Sequence, residues 1–303
     1  MHPFASIIKE IGRGAKGARP LSEDQAEWLF GEILDGRVPD MELGAVLLSM
    51  RVKGEDVIEV AGFKRAMDAR TLQLDVPQGP RCVLLPTYNG ARKQANLMPL
   101  VALLLAQRGV PALIHGRHDF DSRVSPFELL AALDIHPAAD VAEANAALAE
   151  RRLACLRLET LLPGLAQLLS LRPRLGVRNS GHTMAKLLDP CQGRSVRVIA
   201  VTHPEYMERM LEHLVSDGAH ALLMRATEGE AYAHPRRRPR LMGYMEGEAH
   251  ELYPQGENDP GRDAGEGCDV ATNVAVIRGM LSGDLPVPQP VLDQVDALER
   301  LAR

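Results

Sequence analysis

Over the first 70 residues, short apolar stripes at helical spacing alternate with polar turns. Ser6 to Gly12 carries one brief stripe, which Gly12, Gly14 and Gly17 interrupt. Leu21-Ser-Glu-Asp24 opens a second helix. There Ser22 is placed to cap, Gln25 stands three residues on as a capping box requires, and the first turn is acidic. Ala26, Leu29, Phe30 and Ile33 then recur at steps of three and four until Gly36. Asp40 is expected to cap a third helix through Leu43, Val46, Leu47 and Met50, and Gly54 to Asp68 to form a fourth. Four short helices with short polar connections predict a small helical unit.

Near residue 80 the period changes. Cys82 to Pro86 is a short apolar run ending in the turn Tyr88-Asn-Gly90, followed by a helix over Leu97 to Arg108 and a second apolar run, Val110 to Ile114. Strand, loop, helix, strand is the βαβ unit of a parallel sheet. It recurs as Ser195 to Val201, Pro204 to Asp217 and Ala219 to Met224. No element is assigned between 119 and 174. Gly243 to Asp269, rich in Gly, Glu and Asp, is expected to be loop or irregular strands, with closing helices over Asp269 to Gly279 and Pro290 to Ala302. The expected fold is α/β. A helical domain over 1–72 precedes a larger α/β domain over 73–303 with a mainly parallel central sheet, and some helices of the second segment have room to pack on the first.

Composition sharpens this picture. Of 303 residues, 46% are hydrophobic and 25% charged, which excludes wholesale disorder, while aromatics at 4% leave the core to aliphatic side chains. Cys82, Cys155, Cys191 and Cys268 are far apart with no paired spacing, so reduced buried thiols are expected and no metal site. The amphipathic, basic N-terminus lacks a cleavage pattern, and no apolar run approaches the ~20 residues of a membrane span, so a soluble cytoplasmic protein is expected.

Ligands of open α/β sheets bind at the carboxyl ends of strands, and three segments are candidates. Pro86 to Lys93 precedes a helix and adds Arg92 and Lys93, so it is either a phosphate-binding loop or an ordinary turn with solvated cations. His115-Gly-Arg-His118 follows the next run and suits an anion, acid–base work or a structural role. Leu175 to Pro190 crowds Arg178, Asn179, Ser180, His182 and Lys186 together, without the Gly-x-Ser-x-Gly of a nucleophile elbow. No catalytic residue is assigned.

Together these segments resemble the anthranilate phosphoribosyltransferase and nucleoside phosphorylase superfamily, glycosyltransferase family 3, over nearly the whole chain. The family's phosphoribosyl pyrophosphate loop, Gly-Thr-Gly-Gly-Asp-Gly, falls on Leu85-Pro-Thr-Tyr-Asn-Gly90, where only Gly90 survives and Asn89 replaces the Asp. Its Asn-Ile-Ser-Thr falls on Ala95 to Met98, without the hydroxyls. Its Lys-His-Gly-Asn falls on Ile114 to Arg117 and keeps His115 and Gly116, and its Leu-Gly-Ile-Arg-Thr falls on Leu175 to Asn179 and keeps Arg178. Its magnesium-binding Asp-Glu pair falls near Glu230-Ala231, leaving one carboxylate. Side chains where glycines stood, and Pro86 without an N–H, remove the close backbone approach that a pyrophosphate needs. The resemblance therefore implies a vestigial pocket of Asn89, Gly90, His115, Gly116, Arg117, His182 and Glu230, with no cofactor.

The replacements are similar to a divergent branch, the YbiB-type TrpD-like proteins. That likeness implies a homodimer, through the N-terminal helices, that binds DNA and RNA with little sequence preference. The net charge of −5 argues mildly against a polyanion partner, but charge is unevenly placed. His234-Pro-Arg-Arg-Arg-Pro-Arg240 holds Arg236, Arg237, Arg238 and Arg240 without an acid, whereas Glu246 to Asp269 has eight acids and one Arg that could neutralise it. Arg172 to Arg197 adds Arg172, Arg174, Arg178, Lys186, Arg194 and Arg197 against Asp189 alone. Arg236, Arg237, Arg238 and Arg240 are the first candidates for phosphate contacts, then Arg92, Lys93, Arg178 and Lys186. The rival is a phosphoribosyl or pentosyl transferase using magnesium, with His115, Arg117, Arg178, His182 and Glu230 lining its site. A binder of a small anion such as a nucleotide is a third reading.

Overall fold

The computed structural model describes residues 3–14, 16–118, 122–202, 204–257 and 269–303. In chain order the elements begin α1 (Pro3–Ile11), α2 (Glu23–Leu34), α3 (Asp40–Lys53), α4 (Val57–Asp68), β1 (Cys82–Thr87), α5 (Met98–Gln107), β2 (Ala112–Gly116), α6 (Pro126–Ala131), α7 (Val141–Arg151) and β3 (Leu153–Arg157). Then come α8 (Leu158–Leu161), α9 (Pro163–Ser170), α10 (Arg172–Leu175), α11 (Gly181–Met184), β4 (Ser195–Val201), α12 (Pro204–Asp217), β5 (Ala221–Arg225), β6 (Leu241–Met245), β7 (Glu248–Tyr253), α13 (Val270–Ser282) and α14 (Gln289–Ala302). The chain forms two compact units: Met1–Leu72 with Leu158–Pro190, and Gln73–Arg157 with Cys191–Arg303.

The helical unit joins α1–α4 to α8–α11. Ser22 and Gln25 form the expected capping box: Ser22 Oγ accepts from Gln25 N at 3.3 Å, and Gln25 Oε1 accepts from Ser22 N at 3.0 Å. Asp40 does not cap α3. It is the first helical residue, and Pro39 takes the cap position without a side-chain bond. The fourth helix starts at Val57, because Asp56 and Glu59 form a second capping box. Phe30 of α2 stacks on Phe63 of α4 with centroids 4.7 Å apart.

The α/β unit holds a seven-stranded sheet in the order β3-β2-β1-β4-β5-β6-β7. The first five strands run parallel, and β6 and β7 are antiparallel. The continuous burial of β1, β2 and β4 is what a sheet covered on both faces requires. Two differences from the sequence reading matter. The segment after residue 243, expected as loop or irregular strands, forms strands as far as Tyr253: a hairpin with a register shift at Leu241/Met242, turned by Glu246 and Gly247, both at positive φ, which matches the strand twist. Residues 258–268, with the remaining acids and Cys268, lie outside the described residues. The edge strand β3 was not anticipated, because its apolar run is only Leu153 to Leu156. Cys82, Cys155 and Cys191 are buried free thiols, and burial pushes Cys155 up to about 12. Among the described residues no helix is long and apolar enough to cross a membrane.

Candidate functional site at the carboxyl edge of the sheet

Strand order alone marks one place in the α/β unit. The chain crosses from β1 to β2 on one side, whereas β4 lies on β1's other side, so the carboxyl ends of β1 and β4 flank the topological switch point where open α/β sheets bind ligands. The segment after β1 fills this place. Its close contact with β2 depends on Gly116. A Cβ there would stand 1.8 Å from the Thr87 carbonyl oxygen, at φ +148°, and that oxygen accepts from Arg117 N at 3.1 Å. His115 lies inside β2 and not in a loop after it. Its Nδ1 is 3.4 Å from the Tyr88 hydroxyl, and burial pushes its pKa down to about 3, so the ring is neutral.

The amides after β1 converge on two carboxylates. Glu230, fully buried, accepts from Asn89 N at 3.0 Å and Tyr88 N at 3.2 Å through one oxygen, and from Thr87 Oγ1 at 2.7 Å and Asn96 Nδ2 at 3.4 Å through the other. Glu228 accepts from Lys93 N at 2.9 Å and Arg92 N at 3.2 Å. The turn carrying both acids is built for this. Glu228 (φ 53°) and Gly229 (φ 94°) are both left-handed, and a Cβ on Gly229 would stand 2.4 Å from Asn89 Nδ2. Asn89 donates to the Gly229 carbonyl at 3.2 Å, and the Gly90 carbonyl accepts from Arg123 at 3.4 Å. Glu228, Thr87 and Asn96 escaped the sequence reading; the signal was the Glu-Gly-Glu triplet over 228–230. A magnesium ion demands near-octahedral oxygen ligands. Here Glu230 has both oxygens engaged by N–H and O–H donors, and its neighbour is Ala231, so this donor set does not fit the ion.

Around this loop the sheet's carboxyl edge carries several basic side chains. Registry puts Gly116 of β2 level with Arg157 of β3, and Val201 of β4 level with Arg225 of β5. Arg157 and Arg225 are exposed, as are Arg92 and Lys93, and Arg117 and Arg123 are partly exposed. Arg157 lies over the Phe127 ring at 5.7 Å.

The other candidates fall elsewhere. Arg238 pairs at 2.5 Å with buried Asp293, and Arg240 pairs with Glu251, an acid of the stretch that could neutralise the run. Arg237 is exposed, and no carboxylate among the described residues pairs with it. Arg236 is partly exposed, its backbone amide donating to His234. Two members of the expected basic cluster are structural. Arg197 is buried in β4 against Asp217, and Arg194 donates to the carbonyls of Val76, Pro77 and Gly79. Leu175 to Pro190 does not follow a strand: it follows α10 and belongs to the helical unit with Arg178, His182 and Lys186. Burial, then the charges of Arg178 and Arg172, pushes His182 down to about 4.

Comparison with known proteins fits this architecture. Residues 5–71 match the helical bundle domain of the glycosyl transferase family. The chain is 29% identical over 285 residues to the anthranilate phosphoribosyltransferase of Paramagnetospirillum magneticum, covering 92% of this chain and 82% of that one. The crystal structure of anthranilate phosphoribosyltransferase (TrpD) from Thermus thermophilus is similar at a TM-score of 0.79 and 25% identity, over 97% and 88% of the two chains. The scaffold is phosphoribosyltransferase-like. Over 294 residues the chain is also 39% identical to "Uncharacterized protein YbiB" of Escherichia coli (strain K12), covering 96% of this chain and 92% of the other. The chain belongs to the divergent TrpD-like family that includes YbiB.

Proposed function

We propose that this protein binds DNA or RNA through the phosphate backbone, with little sequence preference, on a phosphoribosyltransferase-like scaffold. The observation that carries the proposal is the contrast at the carboxyl edge. The amides that would cradle a small phosphate are filled by Glu228 and Glu230, while Arg92, Lys93, Arg117, Arg157 and Arg225 present cations at the rim. Such an edge suits a chain of phosphates met by side chains better than one small donor held by backbone. Arg237 is the member of the run best placed to add to it. Arg236 is second, and Arg238 and Arg240 serve local pairs first. In the helical unit Arg178 and Lys186 are further candidates. The protein works in the cytoplasm without a cofactor.

The functional form is a homodimer. The exposed face of α3 carries Met41, Ala45, Leu48 and Val52 in one stripe, with Met41 78% and Val52 71% exposed. A stripe this open fits burial against a second copy. Light scattering is expected to give twice the chain mass, and Leu48→Glu with Val52→Glu is expected to give one.

Fluorescence anisotropy with unrelated labelled oligonucleotides tests the binding. About four phosphate contacts on a single strand imply a loss of roughly 50-fold in affinity between 50 and 200 mM salt. Turnover of anthranilate with phosphoribosyl pyrophosphate and magnesium would instead make the protein an enzyme.

A further inference from the structure

The two carboxylates after β5 occupy a place that strand order marks for a ligand. An anion-binding concavity is made when successive backbone N–H groups point at one spot. Four do so here, in two pairs: an inner pair, Tyr88 and Asn89, directed at Glu230, and an outer pair, Arg92 and Lys93, directed at Glu228. The acids come from a stretch of chain more than 130 residues away. They reach the amides because Glu228 accepts a left-handed backbone, which a non-glycine residue adopts only at a cost. The turn is braced by Glu230 N to Thr227 O at 2.9 Å and Thr227 Oγ1 to Tyr232 O at 2.9 Å.

We propose that the Glu228–Glu230 turn is an internal anion that closes a diphosphate-sized site, and that these two residues set the protein's selectivity against small phosphate compounds. Each carboxylate satisfies one amide pair and places a negative charge where a phosphate would sit. A free diphosphate must displace both acids or bear their repulsion. A nucleic-acid backbone needs only the side chains at the rim and is not excluded. Glu228 is the outer, part-exposed half of the closure, and Glu230 is the inner, buried half. Removing Glu228 uncovers two amides beside the Arg92 and Lys93 side chains. The closure stands on its own hydrogen bonds, so it survives or fails independently of nucleic-acid binding.

The test is calorimetric titration of the full chain with inorganic pyrophosphate, without nucleic acid or metal. The wild type is expected to give no saturable heat across the millimolar range. Glu228→Ala is expected to bind at least about tenfold more tightly, and Glu230→Gln, which keeps the shape but drops the charge, to gain in the same direction. Should the buried substitution prevent folding, Glu228→Ala decides, together with hydrogen exchange on the wild type. Pyrophosphate is expected to leave the Arg92 and Lys93 amides unprotected in the wild type and to slow their exchange in Glu228→Ala. Tight binding by the wild type with protection of those amides would overturn the closure. So would a folded Glu228→Ala that binds no better than the wild type.

Discussion

Each unit contains a fully buried glutamate that accepts from two backbone amides, at least one of them distant in sequence. In the helical unit Glu59 accepts from Leu21 N at 2.9 Å and Asp56 N at 2.8 Å, and Lys53 Nζ lies 2.5 Å away. In the α/β unit Glu230 accepts from two amides, a hydroxyl and a side-chain amide, all neutral. The chemistry is nearly the same, but the locations differ. Glu59 ties the entry to α2, the end of α3 and the start of α4, and its partners there are groups of those three elements. Glu230 stands at the sheet's switch point, where the same amides would serve an incoming anion. The comparison separates a carboxylate that holds a fold from one that holds a site shut.

The largest expected effect breaks the first of these. Glu59→Ala strands the Lys53 ammonium, whose side chain is only 10% exposed, and is expected to cost about 3–5 kcal/mol in denaturant unfolding. Glu230→Gln leaves no buried cation behind and is expected to cost less, about 1–3 kcal/mol. Equal costs would erase the distinction between the two glutamates.

An effect gated by pH sharpens the picture of the site. His115 is held neutral, with its pKa down from 6.5 to about 3. Between those values the unfolded chain binds a proton that the folded chain refuses, so stability falls as pH drops below about 6.5 and the loss stops growing near 3. The slope is at most about 1.4 kcal/mol per pH unit. His115→Asn is expected to flatten the stability profile over that window. An unchanged slope would mean that His115 is not buried neutral beside Tyr88.

What was legible in the sequence was local. The Ser22–Gln25 box spans four residues, the helical stripes span about two turns, and the βαβ pattern is complete between Cys82 and Ile114. The loop after β1 stands out in the sequence because it sits between an apolar run and a helix. What fills it was not legible, because Glu230 meets Asn89 across 141 residues and only folding brings them together. Charge was legible as count but not as partnership. Arg197 and Arg238 add to basic clusters on paper, yet one is buried against Asp217 and the other pairs with Asp293. Strand β3 is illegible in the sequence because four apolar residues after a helix carry no period of their own.

Different basic residues should therefore weigh differently. Arg92 and Lys93 are exposed at the rim, whereas Arg238 is only partly exposed and pairs with Asp293. In anisotropy titrations the Arg92→Ala, Lys93→Ala variant is expected to weaken binding uniformly across sequences, and Arg238→Ala to weaken it less.

The most direct measurement is the slope of log affinity against log salt for one unrelated single-stranded oligonucleotide, compared between the wild type and the Arg92→Ala, Lys93→Ala variant. A steep wild-type slope that becomes shallower by about 1.4 in the variant is the predicted result, since each lost phosphate contact removes about 0.7. A flat wild-type slope, or the same slope in both proteins, would contradict a phosphate track at the carboxyl edge.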